Sequence, residues 1–416
     1  MKYAEARAYI ASLQGRGWRL ELDRMREFVR LLDNPERGCH CFHVAGTNGK
    51  GSVTAMIASV LKESGFRVGS FFSPFVYDFR ERIQINGEMI SEQDIARLTE
   101  LLIPISEHLS NSPLGGPTEF EFKTAMGFYH WAEEKCDYVA LEVGLGGRLD
   151  ATNIIEKPVV AIISQVGMDH QQYLGDTIEK IAAEKAGIFK RGCPAVSGAT
   201  DERAKNAIRH GRLWRIPEEF SCTDDSITTP VKVRSGIETN LLGGFQRHNL
   251  AVAVAAIDAS GIAIPEEDLC RGLMSVSLPG RMEVVRRVPT VIFDGAHNQQ
   301  AAESVATSIT AQFPGKQVRL VFGSATGHEP SGVLRAFAPL LQKAYVCEIA
   351  HERAQPLAQI VSAAVTALDP ARIQVCAGVS DAIRQAVGGC RETEIVLVTG
   401  SFYLLGEANT ALEDLT

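Results

Sequence analysis

A lysine and a hydroxyl set among glycines, Gly46-Thr47-Asn48-Gly49-Lys50-Gly51-Ser52, form the stretch of this sequence best suited to holding an anion. Small residues let backbone N–H groups crowd around phosphate oxygens, a following helix adds its positive end, and Lys50 supplies a mobile charge. The spacing departs from the common pattern G-x-x-x-x-G-K-[ST]: the loop before Gly49-Lys50 is shorter, and Gly51 separates the lysine from Ser52. A generic kinase or GTPase loop is therefore not what is written. The alternative is a plain glycine-rich turn. Apolar run, loop, lysine, hydroxyl and helical pattern in that order favour the phosphate cradle.

Three further residues could do chemistry beside it. Glu142 ends the apolar run Tyr138-Val139-Ala140-Leu141, where a carboxylate suits Mg²⁺, a hard cation that prefers oxygen. The alternative is a buried ion-pair partner for Arg148. His170 follows the apolar run at Ile162-Ile163 and either helps hold a second metal or is structural. Lys185 lies among Ile181, Ala182, Ala186 and Ile188, as a snorkelling surface residue or a functional amine with a shifted pKa. Cys39, Cys41 and His43 alternate just before the loop, which fits strand positions better than a zinc site.

Such residues need strands that end beneath them. Strand-like runs at 41–45, 138–143, 159–166 and 195–196 alternate with helical patterns at 53–64, 91–109, 120–135, 177–188 and 248–259. Two helices, at 1–13 and 22–32, precede them. The alternation predicts parallel βαβ units in a doubly wound α/β sheet. Residues 215–240 read as a small antiparallel patch. A second series follows Pro279-Gly280-Arg281: strands at 290–294, 318–323, 343–348 and 395–398, and helices at 299–313, 333–341 and 357–368. It predicts a smaller Rossmann-like domain, so the expected domains are 1–280 and 281–416.

At 416 residues the chain is too long for one core. No apolar run approaches the roughly 20 residues of a membrane span, and the start is too charged for a secretory leader. A net charge of −8 disfavours nonspecific nucleic-acid binding. Nine scattered cysteines without a C-x-x-C suggest reduced thiols, hence a cytoplasmic chain.

Several segments combine into one pattern: His43-Val44-Ala45-Gly46-Thr47-Asn48-Gly49-Lys50-Gly51-Ser52; Phe72-Ser73-Pro74; Glu81-Arg82-Ile83-Gln84-Ile85-Asn86-Gly87; and Leu141-Glu142-Val143-Gly144-Leu145-Gly146-Gly147-Arg148-Leu149-Asp150-Ala151-Thr152-Asn153. Asp169-His170, Glu184-Lys185-Ala186-Gly187-Ile188, Pro279-Gly280-Arg281, Asp294-Gly295-Ala296-His297-Asn298 and Gly400-Ser401-Phe402-Tyr403 follow in order. Together they resemble the folylpolyglutamate synthase/dihydrofolate synthase family, a branch of the Mur ligase superfamily of ATP-dependent amide-forming ligases. The resemblance spans nearly the whole chain. It implies an N-terminal P-loop-type ATPase domain carrying a folate site and a smaller C-terminal Rossmann-like ligase domain.

The resemblance also implies roles. Gly46, Thr47, Asn48, Gly49, Lys50, Gly51 and Ser52 would hold the triphosphate of ATP, with Asn249, Arg281, Asp294 and His297 as further nucleotide contacts. Ser52, Ser73, Glu142 and His170 would form the Mg²⁺ sites, two in number. Lys185 would be a carbamate, and a monovalent cation is a further expectation. Lys50, Lys185, His170 and Arg281 are the expected catalytic residues. The expected substrates are ATP, L-glutamate and either dihydropteroate or a reduced folate, handled by a monomer. Thr118-Glu119-Phe120-Glu121-Phe122 falls near the family's pterin pocket. Three positions depart from the pattern: Phe75-Val76 replaces histidine-leucine, Glu119 replaces an aromatic, and Ser324-Ala325-Thr326-Gly327-His328-Glu329 lacks aspartate-lysine-aspartate. A Mur-type ligase for another carboxylate is the near alternative, against which the segment from Glu81 to Gly87 argues. A nucleotide-regulated binding protein without turnover is the distant one.

Overall fold

The computed structural model describes residues 1–16 and 21–415, which divide into two compact units. The first comprises 1–74, 79–240 and 248–276, and the second 75–78, 241–247 and 277–416. The last crossing, at 276/277, comes just before the expected 280/281 division. Two short earlier segments also belong to the second unit, and nothing in their composition marks them.

The first unit is built on strands β1 (Cys41–Ala45), β2 (Val68–Phe71), β3 (Ile83–Ile85), β4 (Glu88–Met89), β5 (Tyr138–Glu142), β6 (Val160–Ile163), β7 (Ala195–Ser197) and β8 (Leu213–Arg215). They form one sheet in the order β4-β3-β2-β5-β1-β6-β7-β8. The pairs from β2 to β8 are parallel, and β3 and β4 add an antiparallel edge. Every residue of β1 is buried, as a central parallel strand covered on both faces requires. Its helices are α1 (Tyr3–Ser12), α2 (Asp23–Arg30), α3 (Lys50–Glu63), α4 (Glu92–Ser110), α5 (Glu119–Glu133), α6 (Gln171–Leu174), α7 (Ile178–Ala186), α8 (Glu202–Ala207), α9 (Gln246–Ser260, from its third residue) and α10 (Glu266–Ser275). The antiparallel patch is present as β9 (Ser221–Cys222), β10 (Ser226–Thr228) and β11 (Val233–Ser235).

Two side-chain devices hold α5 under the sheet. Its first turn is closed by a capping box between Thr118 and Glu121, and the buried guanidinium of Arg24 donates to both oxygens of Glu121 at 2.9 and 3.0 Å. At its other end Trp131 lies against Gly69 of β2, where an added Cβ would stand 2.6 Å from the indole. The Trp131 N–H donates to the Gln84 carbonyl of β3 at 3.1 Å.

The second unit orders its strands β12 (Glu283–Arg287), β13 (Thr290–Phe293), β14 (Gln317–Phe322), β15 (Leu341–Val346), β16 (Ile373–Val375) and β17 (Glu394–Thr399) as β12-β13-β17-β14-β15-β16. All pairs are parallel except the β12 edge. Helices α11 (Gln299–Gln312), α12 (Pro330–Phe337), α13 (Leu357–Ala367), α14 (Val379–Gly388) and α15 (Phe402–Glu413) cover it. Alternate strand residues face two cores: Phe293, Val396 and Val398 pack with α14 and α15, and Ile292, Ile395 and Leu397 with α11 and α12.

The expected strands and helices are present to within a few residues. The expected helix at 53–64 begins three residues earlier, because the end of the glycine loop is itself the first turn of α3. Strands β2, β3, β4, β8, β12 and β16 have two to five residues and no periodicity of their own. Pairing to a longer neighbour decides them. Helices α8, α10, α14 and α15 were likewise not anticipated.

Replacing Trp131 with alanine would empty the space between α5 and β2. A destabilisation of about 3–5 kcal/mol is expected from losing a buried aromatic of this size, measured by urea unfolding against the unsubstituted chain.

Candidate active site

The sheet of the first unit changes winding direction at β1, which has β5 on one side and β6 on the other. Ligands of open α/β sheets bind outside the carboxyl ends of the strands at such a point. The register pairs Val44 with Glu142 and Ala45 with Ile163, so the glycine loop leaves β1 between Glu142 and Ser164.

The loop is shaped by close approach. Gly46 has φ 156°, and a Cβ there would stand 2.0 Å from Ser164 Oγ. Gly49 has φ 84°, and a Cβ there would stand 2.3 Å from the Asn249 Oδ1. Only glycine fits either place. Ser164 clasps the loop by donating to the Asn48 carbonyl at 2.6 Å. Thr47 N–H donates to the Gln165 carbonyl at 2.6 Å, and the Thr47 hydroxyl both donates to the Gly167 carbonyl and accepts from Gly167 N–H, each at 3.0 Å. Lys50, Gly51 and Ser52 begin α3, so their N–H groups are among those a helix leaves unpaired at its start.

Two amines converge on one oxygen. The Gly46 carbonyl accepts from Lys50 Nζ at 3.1 Å and from Lys185 Nζ at 2.9 Å. Lys185 is 3% exposed, which excludes the snorkelling reading. Burial pushes its pKa down to about 7, Lys50 pushes the same way, and Asp169 and Asp150 oppose both.

Glu142 does not pair with Arg148, which instead binds Glu184 at 2.8 Å. The buried Glu142 carboxylate accepts the Ser73 N–H at 2.9 Å, so these two sequence-predicted residues are neighbours. Ser52 is buried in the first turn of α3. His170 is half-buried with a left-handed backbone, φ 48°, and opens α6 beside Asp169. Cys39 and Cys41 are buried, with Cys39's thiol pushed up to about 12 and Cys41's raised by burial. They are structural.

In the second unit, Arg281 lies over the Phe402 ring with its guanidinium carbon 4.2 Å from the centroid. Asp294 is buried, with Oδ2 accepting Met282 N–H at 2.9 Å and Oδ1 accepting Ala296 N–H at 2.8 Å. Burial raises its pKa, and Arg281 pulls it back. His297 donates from Nδ1 to the Gly295 carbonyl at 2.8 Å, and its ring lies 4.5 Å from that of His328. Arg281, Asp294 and His297 thus share one corner of that unit. Phe402 and His328 in that corner, and Ser164 at the loop, carried no signal as single residues.

The Mur ligase middle domain matches residues 44–257, and the Mur ligase glutamate ligase domain matches residues 280–402. The dihydrofolate synthase/folylpolyglutamate synthase of Bacillus subtilis is 34% identical over 99% of both chains. The chain belongs to the dihydrofolate synthase/folylpolyglutamate synthase family of Mur ligases. It is a ligase by that membership. Among solved structures, Escherichia coli FolC in complex with DHPP and ADP has a TM-score of 0.90 and 28% identity, covering 100% of this chain and 98% of that one. The bifunctional enzyme from Yersinia pestis complexed with AMPPNP and Mn ion has a TM-score of 0.87 and 29% identity, covering 99% and 98%. No helix among the described residues is long and apolar enough to cross a membrane.

Gly49→Ala would force a Cβ onto Asn249 in a left-handed conformation. Nucleotide affinity is expected to fall about tenfold, as roughly 1–2 kcal/mol of left-handed strain would give if borne by the bound loop. Titration calorimetry with ADP would measure it.

Proposed function

We propose that this chain uses ATP to join L-glutamate to the carboxylate of dihydropteroate or a reduced folate. A carboxylate at neutral pH is a poor electrophile. Transfer of the γ-phosphoryl group to one of its oxygens gives an acyl phosphate. The glutamate amine then attacks the acyl carbon, phosphate leaves with the C–O electron pair, and the nitrogen loses its proton to give the amide. The observation that carries this reading is the pair of lysines on the Gly46 carbonyl, inside a phosphate loop and next to the strand that ends in Glu142.

The loop from Gly46 to Ser52 binds the triphosphate, and Lys50 swings from its carbonyls to the β/γ-phosphates. Phosphoryl transfer asks a protein chiefly for position and charge neutralisation. The buried Glu142 carboxylate, held by Ser73 N–H, suits Mg²⁺; Ser52, Ser73 and His170 join it on the family resemblance, and the ion when bound would neutralise phosphate charge. Asn249, Arg281, Asp294 and His297 are assigned to the nucleotide on the family resemblance. Lys185 is proposed as a carbamate: its neutral amine adds to CO₂, forming an N–C bond and releasing a proton. Burial and Lys50 favour the neutral amine that this needs.

Mass spectrometry of products from protein, ATP, glutamate and either dihydropteroate or tetrahydrofolate tests the reading. A glutamylated product is expected, with ADP release that requires both acceptor and donor. ADP release indifferent to the folate would overturn it. Lys50→Ala should lower kcat about 10²–10³-fold, the usual cost of one charge-stabilising contact, with the melting temperature unchanged.

The pH dependence of Lys185 follows from its direction of shift. Below about pH 7 the amine is protonated and does not take up CO₂, so activity under limiting bicarbonate should rise between pH 6 and 8. Added bicarbonate should flatten that rise. Lys185→Ala should be nearly inactive and partly rescued by acetate. A rise unaffected by bicarbonate would count against the carbamate.

A further inference from the structure

One buried polar chain in the first unit touches the chemistry above only through the charge of Asp150 on Lys185. His43, in the middle of β1 and 0% exposed, places Nε2 at 2.8 Å from Thr152 Oγ1. The Thr152 hydroxyl donates to Asp150 Oδ1 at 2.5 Å, and Thr152 N–H donates to the same oxygen at 3.0 Å. Asp150 Oδ2 accepts Leu145 N–H at 2.9 Å. These bonds set the direction of the protons. A hydroxyl whose hydrogen goes to a carboxylate offers only lone pairs elsewhere, so His43 must donate from Nε2. Its Nδ1 is then a bare acceptor, and Nδ1 indeed has no partner in the core. Burial agrees by pushing the imidazole pKa down to about 3.

The far end of the chain reaches the turn just past Glu142. Leu145 N–H lies three residues past Glu142, in the turn that joins the end of β5 to Arg148. That turn is docked on α7 at its other end: Arg148 N–H donates to the Glu184 carbonyl at 2.8 Å, and Asn153 Nδ2 donates to the carbonyls of Arg148 and Gly187 at 2.9 and 3.1 Å. One strand therefore carries the phosphate loop at its end and, through His43, a tether to the segment between Glu142 and Lys185. The tether costs the burial of an imidazole, a hydroxyl and a carboxylate where apolar side chains would pack as well. A satisfied polar network specifies geometry more than it adds stability.

We propose that His43, acting through Thr152 and Asp150, is a positioning residue that holds the Glu142 carboxylate at the geometry needed to bind metal-nucleotide. The inference rests on the metal role given to Glu142. Loss of an outer partner of a metal ligand typically costs 10–100-fold in metal affinity or activity.

The test reads binding as well as turnover. Thr152→Val removes the hydroxyl at nearly constant volume, Thr152→Ser retains it, His43→Phe removes the donor, and His43→Gln keeps an N–H near the Nε2 position. AMP-PNP binding is measured by calorimetry with and without Mg²⁺, alongside kcat and KM for ATP and folate. Thr152→Val and His43→Phe should each lose about tenfold of the Mg²⁺-dependent affinity, with metal-free binding unchanged. Thr152→Ser and His43→Gln should return to within threefold. The double variant His43→Phe/Thr152→Val should be no worse than the worse single one, because both cut the same chain. Should His43→Phe not fold, the Thr152 pair carries the test alone. Equal loss with and without Mg²⁺, no rescue by Thr152→Ser, or Thr152→Val at the unsubstituted affinity would overturn the proposal. Calorimetry needs no folate, so failure of the folate reading would appear separately, as absence of ligation by the unsubstituted chain.

Discussion

Two amines donating to the single carbonyl of Gly46 form the contact on which the site depends. The arrangement brings two amines together in a buried place, where desolvation and the neighbouring Lys50 disfavour the charged form of Lys185 while Asp169 and Asp150 favour it. Burial prevails, and the pKa of Lys185 falls to about 7. Lys50 is only half-buried and reaches the same carbonyl from the first turn of α3. A carbonyl just past a central strand is thus shared by two chemically identical side chains. Their surroundings differ by depth and not by residue type.

That carbonyl is placed by β1, and β1 is placed by being central. With β5 and β6 as parallel neighbours, its carboxyl end lies level with Glu142 on one side and Ser164 on the other. Parallel pairing sets all three ends at one edge, which an antiparallel neighbour would not do. The glycines then permit what the register demands: Gly46 passes Ser164, and Gly49 meets Asn249, at distances that no Cβ allows. The capping box of α5 with its buried Arg24, and the Trp131 seat on β2, keep the neighbouring layer from shifting that register.

The second unit repeats the logic with different chemistry. Asp294, just beyond β13, spends both carboxylate oxygens on backbone N–H groups, one of them from Met282. It therefore shapes the turn bearing Arg281, while Phe402, just beyond β17, stacks beneath that guanidinium. A carboxylate engaged in this way acts on its surroundings through the backbone it holds.

Much of this was legible in the residues themselves. The glycine loop, the carboxylate ending β5, and the alternation of long apolar runs with helical patterns are local features, and local periodicity and turn chemistry carry them. The short strands β2, β3, β8 and β16 were not legible, since three or four residues have no period and take their state from a partner strand. Lys185 shows the division most clearly. Its sequence neighbours allowed a snorkelling surface residue or a functional amine, and only its burial beside the Gly46 carbonyl decided between them, by removing water from the ammonium. Glu142 was open in the same way, until Arg148 was found paired with Glu184. His43 reads in the sequence as one more strand residue. Its role as a donor appears only when Thr152, more than a hundred residues away, arrives to accept its hydrogen bond. Sequence determined which groups this chain could use. Tertiary structure decided which of them are dry, which are paired, and therefore which are charged, because solvation and hydrogen-bond partners come from residues far apart in the chain.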